Sequence, residues 1–344
     1  MAYVLYALLQ RDSVTVGLSG APSVTYRRLR QQDPGGRLIL LSYPLPLWIG
    51  ERVVQDLLGV LDGGHGGRRR LLALWSLRFH TYRALQRFGE RACWRPVTDD
   101  GPSGPQPDAE EVDAASRLLS GRVLLEEEVK RLFDEEGEAL FSSQFTDLVE
   151  ELVLAGRMIR LAALAQDATG RWHCRRCGSY DQVDVGPCEL CGREACASCT
   201  ECAPLGIARS CAALFVKEWD GQPHEEAFPA DKPLLHMPFR LSPAQERAAR
   251  AVAADKGKRA IIWAACGAGK TEVVYRAIEQ TLQRGQPVLL AVPRRDVAQE
   301  LGERLQAVCP GVSVKVLYGG VARRFADAQL VVATTHQVMR FYRR

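Results

Sequence analysis

The spacing of apolar positions divides this chain into unlike stretches. Near the start, Tyr3–Leu9 and Leu38–Ser42 are apolar runs of strand length. From about Arg70 to Ala92 the period lengthens to that of a helix, with Leu71, Leu74, Trp75, Leu77 and Phe79 among its apolar residues. Arg68, Arg69, Arg70, Arg78, Arg83, Arg87 and Arg91 decorate it. A solvated, arginine-covered helix is the plainer reading; a patch for nucleic acid or a membrane surface is the alternative. Residues 1–97 are therefore expected to form an α/β region. A linker follows over 98–110, where TDDGPSGPQP has neither period.

Helical spacing returns at Val112–Leu119 and Leu124–Asp134, then at Phe145–Ala155, where Gly156 supplies a C-cap. Arg157–Leu164 reads as a short strand. Three helices and a β-element over 111–170 resemble a winged helix, usually a DNA-binding module. The third helix, however, carries Asp147, Glu150 and Glu151, and carboxylates repel phosphate. A structural or protein-docking role is favoured over groove reading. After a linker at 216–240, strands and helices alternate through 241–344: Val288–Val292, Val312–Leu317 and Leu330–Ala333 are the clearest strands. That alternation predicts a parallel sheet with helices on both faces.

Composition adds constraints. With 344 residues the chain has room for two to four domains. No segment is suited to span a membrane: Leu38–Gly50 is short and holds Pro44 and Pro46. Arg11 and Asp12 interrupt any signal-peptide pattern. A cytoplasmic location is expected, where thiols stay reduced and eleven cysteines point to metal rather than disulfides. Charge is unevenly spread. Residues 101–170 are acidic, whereas 241–344 hold 17 Lys/Arg against 8 Asp/Glu, which suits a polyanion or a nucleotide.

Eight cysteines crowd into 171–215: Cys174, Cys177, Cys188, Cys191, Cys196, Cys199, Cys202 and Cys211. Thiolates three residues apart can turn onto one ion, and Gly178 and Gly192 ease the turn after two of the pairs. Two four-thiolate Zn²⁺ sites are expected, with an iron–sulfur cluster as the rival. Spacing leaves the partition open. It can be consecutive, with Cys174, Cys177, Cys188 and Cys191 together, or interleaved, with Cys174 and Cys177 joined by Cys199 and Cys202. The role is a staple for a small core, a rigid grip on DNA or a partner, or both.

The sharpest motif is Ala260–Thr271, AIIWAACGAGKT. Ile261, Ile262 and Trp263 are expected to supply a buried strand. Cys266, Gly267, Ala268 and Gly269 would form a loop whose amides face phosphate, with Lys270 on the β- and γ-phosphates and the Thr271 hydroxyl on Mg²⁺. Ala264 stands where the strict pattern has its first glycine. Gln245 lies 25 residues before Lys270 and carries an amide that can both donate and accept.

These features resemble superfamily 2 helicases. Gln245 matches their adenine-reading glutamine, and Arg294 and Arg295 lie where a loop touches the nucleic-acid backbone. Thr334, Thr335, His336 and Gln337 resemble the tetrad that contacts DNA phosphate. A cysteine module directly before LSPAQ, WAACGAGKTE, VPRRDVAQEL, YGG and TTHQVMRFY further resembles the ComFA family, over about Cys174–Tyr342. The resemblance implies a first RecA-like lobe, ATP, Mg²⁺ and Zn²⁺ as cofactors, and late-competence uptake of single-stranded DNA. The ComFC protein and the DNA-uptake channel at the inner face of the membrane are the implied partners. A PriA-like replication-restart helicase is the nearest alternative, though there the cysteines interrupt the helicase core. A non-catalytic, zinc-stabilised DNA-binding or scaffold protein is another. No Asp-Glu pair follows Thr271, so the chain is expected to be truncated before the acidic motif and the second lobe, and to bind ATP without efficient hydrolysis by itself.

Overall fold

The computed structural model describes residues 3–10, 13–33, 37–42, 45–61, 69–88, 94–96, 107–137, 145–219, 234–238, 240–254, 260–319 and 328–341. Most of the two expected linkers (98–106 and 220–233), Arg68, Arg91 and Gly320 lie outside the described residues. So do the side chains of 69–76. Two compact units emerge: Met1–Trp219 together with Met339–Arg344, and Asp220–Val338.

The first unit opens with an antiparallel sheet. Strands β1 (Val4–Leu9), β2 (Val14–Ser19), β3 (Arg37–Leu41) and β4 (Trp94–Pro96) lie in the order β2-β1-β3-β4. Alternation along β1 divides its side chains between two faces. Leu5, Ala7 and Leu9 pack with Val53 and Leu57 of helix α2 (Leu47–Leu61) and Leu77 and Leu85 of α3 (Arg69–Gln86), while Tyr6 and Leu8 pack with Leu29 of α1 (Pro22–Gln32). Strand β2 escaped the sequence reading.

The same unit continues with α4 (Ala109–Leu119), β5 (Val123–Leu125), α5 (Glu126–Gly137), α6 (Phe145–Leu154) and β6 (Ile159–Ala162). Asp108 caps α4 in a reciprocal box with Glu111. The segment expected to be helical from Leu124 starts instead as strand: β5 ends at Leu125 and α5 begins at Glu126. Hairpin β7 (Leu164–Gln166) and β8 (Trp172–Cys174) follows. Then come β9 (Val183–Cys188), β10 (Arg193–Cys199), a 3₁₀ turn at Ala203–Leu205, β11 (Ala208–Arg209) and β12 (Ala213–Val216). Strand β12 returns between β5 and β6, giving a sheet β5-β12-β6. The cysteine module is thus an insertion between two strands of the small sheet that backs the three helices.

Helix α6 does not present its acids to solvent as a row. Glu150 is buried, paired at 2.5 Å with Arg160, and it accepts from Gly20 N–H and Thr25 Oγ1, both at 2.9 Å. Glu151 pairs with Arg28 of α1. The acidic face is docked against the N-terminal region.

In the second unit, α7 (Pro243–Ala254), α8 (Lys270–Gln283), β13 (Val288–Val292), α9 (Arg295–Val308), β14 (Val314–Leu317), β15 (Leu330–Thr334) and α10 (Thr335–Val338) alternate as expected. The sheet is parallel, ordered β13-β15-β14, and β15 is buried along its whole length. The strand expected from Ile261, Ile262 and Trp263 is not formed. Those residues make no ladder, and Ile261 and Trp263 are 91% and 96% exposed. An apolar run becomes a strand only when a neighbour takes its N–H and C=O groups. Among the described residues the sheet is β13-β15-β14 and no strand pairs with Ile261–Trp263; the two carbonyls that follow them, of Ala264 and Ala265, accept from Lys270.

Candidate functional site

The loop before α8 is built by two glycines in left-handed conformation, Gly267 at φ 78° and Gly269 at φ 76°. Any other L-residue there costs about 1–2 kcal/mol. Gly269 is the N-cap of α8 and offers no side chain, so the first amides of the helix are not capped from within it. Exposed amides at a helix start, with the partial positive charge of its dipole, favour an anion. Cys266, Gly267, Ala268 and Lys270 are exposed, and Thr271 is half-buried in the first helical turn.

Two side chains lie on this loop. Lys270 Nζ donates to the Ala264 and Ala265 carbonyls at 3.1 and 2.7 Å. Gln245, in the first turn of α7, donates from Nε2 to the Ala268 carbonyl at 2.9 Å, while its Oε1 accepts from Ser242 N–H at 2.8 Å. A methyl group on Gly269 would sit 2.3 Å from Gln245 Nε2, so the amide rests directly on that glycine. The structure thus brings Gln245 and the Cys266–Thr271 loop together across 25 residues of sequence. Glu272 of the same helix pairs with Arg304 of α9, a contact with no signature in the sequence.

The residues expected to meet DNA are placed unequally. Arg294 is exposed and pairs with Asp296 at 2.6 Å. Arg295 stacks 4.5 Å above the Tyr318 ring, whose hydroxyl accepts from Gln299. Of the tetrad, Thr335 is exposed and His336 half-buried, whereas Thr334 and Gln337 are buried. Tyr318, the first residue of the YGG turn, is thereby brought beside Arg295, a contact the spacing of the motifs did not announce.

The eight cysteines gather into two sets of four. One holds Cys174, Cys177, Cys199 and Cys202; the other Cys188, Cys191, Cys196 and Cys211, and within each set the sulfurs lie within 4.8 Å of one another. Of the two partitions the spacing allowed, this is the interleaved one. Left-handed Gly178 and Gly192 close the knuckles, donating to the Cys174 and Cys188 carbonyls at 2.8 Å each. Hydrogen bonding from the Cys202 thiol pulls Cys174 down to about 5, helped by the amides of Arg176 and Cys177. Cys196 is likewise drawn to about 4 by the Cys211 thiol and the Ser210 hydroxyl. Burial pushes Cys199 up to about 12, and the thiols of Cys202 and Cys211 are raised by hydrogen bonds to their partners. Each set gathers four sulfurs, an arrangement that one cation could hold. Sγ–Sγ distances of 3.8, 3.6 and 3.9 Å (Cys174–Cys202, Cys177–Cys199, Cys188–Cys211) suit a shared ion. Four sulfurs tetrahedrally placed about 2.3 Å from a zinc ion stand about 3.8 Å apart.

Residues 109–216, from α4 to the end of β12, match the family model described as the competence protein ComFA N-terminal domain. The resemblance to the ComFA family holds. Residues 238–343 match the model for the Type III restriction enzyme res subunit, a helicase-like domain. The chain is 34% identical to the competence protein ComFA of Bacillus subtilis over 173 residues, half of this chain and 36% of that protein. It is also 34% identical to the competence protein ComFA of Streptococcus pneumoniae over 147 residues, 42% of this chain and 32% of that protein. The chain thus spans about a third of the length of these ComFA relatives. The ComFA N-terminal segment includes the three helices, the small sheet and both cysteine sets; the sheet of β1–β4 lies before it. Among the described residues no helix is long and apolar enough to cross a membrane.

Proposed function

We propose that this chain is the nucleotide- and DNA-binding N-terminal portion of a ComFA-type single-stranded DNA translocase. It works in the cytoplasm at the inner face of the membrane, with the DNA-uptake channel and a ComFC protein as partners. The observation that carries this reading is Gln245 lying on the glycine loop that opens α8. A glutamine fixed there by Ser242 can offer its amide to an adenine whose phosphates meet the loop amides and Lys270. Thr271 would face the Mg²⁺ that accompanies ATP. For the phosphates to enter, Lys270 exchanges two carbonyl partners for phosphate oxygens.

The sulfur spacing supports one Zn²⁺ in each cysteine set, rather than an iron–sulfur cluster, which interposes several atoms between its ligands. All four positions are thiolates, so the ions would be structural, holding together a module too small to fold on its own core. The order α4-β5-α5-α6-β6-β12 supports a winged-helix-like framework. Docking of its third helix on the N-terminal region supports a scaffolding role for that helix rather than groove reading. DNA contact falls instead to Arg294, Arg295, Thr335 and His336. Cysteines placed before the nucleotide loop, not within the helicase core, favour the ComFA-type reading over a PriA-like one.

Titration with a fluorescent ATP analogue tests the proposal. Lys270→Ala removes a charge-assisted contact of about 1.5–3 kcal/mol, a loss of about 10- to 150-fold in affinity. Unchanged affinity would overturn the nucleotide site.

A further inference from the structure

Three groups from remote parts of the sequence meet beside the first cysteine set. Arg176 sits in the knuckle between Cys174 and Cys177, with its side chain fully buried, and grips both oxygens of Glu128 at 2.9 and 2.8 Å. Glu128, in the first turn of α5, also accepts Leu125 N–H at 2.9 Å. Arg340 reaches the same carboxylate through Nε and Nη2, both at 2.6 Å, with a side chain only 5% exposed.

The two arginines also reach the turn that follows Cys202. Arg340 Nη2 donates to the Leu205 carbonyl at 3.3 Å, and Arg176 Nη1 to the Gly206 carbonyl at 3.5 Å. The network therefore touches both halves of the set, the Cys174–Cys177 knuckle and the turn leaving Cys199–Cys202. The main chain around Arg340 is held as well: Val123 N–H donates to its carbonyl at 2.7 Å, and Phe341 bridges Arg122.

We infer that Arg340 is a positioning residue for the metal centre formed by Cys174, Cys177, Cys199 and Cys202, and that loading of that centre and docking of Met339–Phe341 are thermodynamically linked. The inference rests on the metal reading above. Its physical basis is that partners behind a metal ligand orient it, and their loss lowers metal affinity about 10- to 100-fold. Linkage is reciprocal, so the ion must tighten the segment by the same factor that the segment tightens the ion. The second set makes no use of this network, so it is a control within the same molecule. Because Arg340 lies three residues after Gln337, the anchored segment is the direct continuation of the tetrad turn.

The experiment is zinc release from the full chain to an excess of a coloured chelator. A Cys196→Ser variant, which breaks the second set, identifies the release phase of the first. Arg340→Ala and Glu128→Gln are expected to weaken the first-set ion about 10- to 100-fold while the second-set phase stays unchanged; Arg340→Lys should recover part of the loss. In Cys196→Ser, stripping the remaining zinc should also raise amide exchange at residues 339–341. Acceleration of both phases together would reduce Arg340 to a general stabilising role and overturn the inference, as would a first phase that does not move. Unaltered protein that binds no zinc would remove the metal reading and the linkage with it, an outcome distinct from zinc bound but released at the same rate.

Discussion

Replacing Glu150 with alanine probes the joint that sets the N-terminal region against the three-helix framework. The carboxylate is 1% exposed and serves three donors: Arg160 at 2.5 Å, Gly20 N–H at 2.9 Å and Thr25 Oγ1 at 2.9 Å. Arg160 is 5% exposed, stacks 4.7 Å over the Tyr3 ring, and donates to the Leu18 carbonyl. Removing the acid therefore leaves a buried guanidinium with an aromatic face and one carbonyl, but no counter-charge. Breaking a buried pair in this way costs about 3–5 kcal/mol. Glu150→Gln keeps an oxygen for Gly20 or Thr25 and should cost less, about 1.5–3 kcal/mol. In urea, with a slope of about 2 kcal/mol per molar, the alanine variant should unfold about 2 M earlier. Near-ultraviolet circular dichroism of Trp48, edge-packed on Trp172 at 5.1 Å and on Phe88 at 5.3 Å, reports this unit. A midpoint shift worth less than about 1 kcal/mol would refute the claim that α6 is held through this acid.

Three further outcomes are expected. Gly269→Ala forces a methyl onto Gln245 and strains a left-handed position by about 1–2 kcal/mol, so ATP affinity should fall about tenfold and preference over GTP shrink in competition titrations. Cys174→Ser and Cys188→Ser should each lower bound zinc from two equivalents to one by elemental analysis and the double variant to none, whereas under a consecutive pairing the double variant would keep one. Arg295→Ala removes a cation held over Tyr318 and should lower the slope of DNA affinity against salt by about one; an unaltered slope would take Arg295 out of the DNA surface.

Much of the second unit could be read from the chain because its signals are local. Three strands rise where apolar runs stand between turn residues, and the glycine loop is written in adjacent positions. Ile261 and Trp263 show the limit: their composition is that of a strand, but pairing depends on a neighbour that composition does not supply. The cysteine sets illustrate the same point. Repeated spacing announces knuckles, yet the choice of partners depends on how β9 and β10 pair, which brings Cys199 beside Val183 and leaves Cys188 opposite Arg193. Glu150 was legible as an acid but not as a buried one, because Arg160, Thr25 and Gly20 reach it only after folding. Glu128 and Arg340, 212 positions apart, carry no motif at all.

The crossing of the two sulfur sets governs how the module can be cut or assembled. Any backbone nick between Cys191 and Cys196 strands two ligands of the first set on either side and parts the second as well. Neither half can be transplanted as a self-sufficient knuckle, and during synthesis an ion held by the first set could be fully enclosed only once Cys202 has emerged, one held by the second only with Cys211. The two sets therefore form or fail together as one piece of chain.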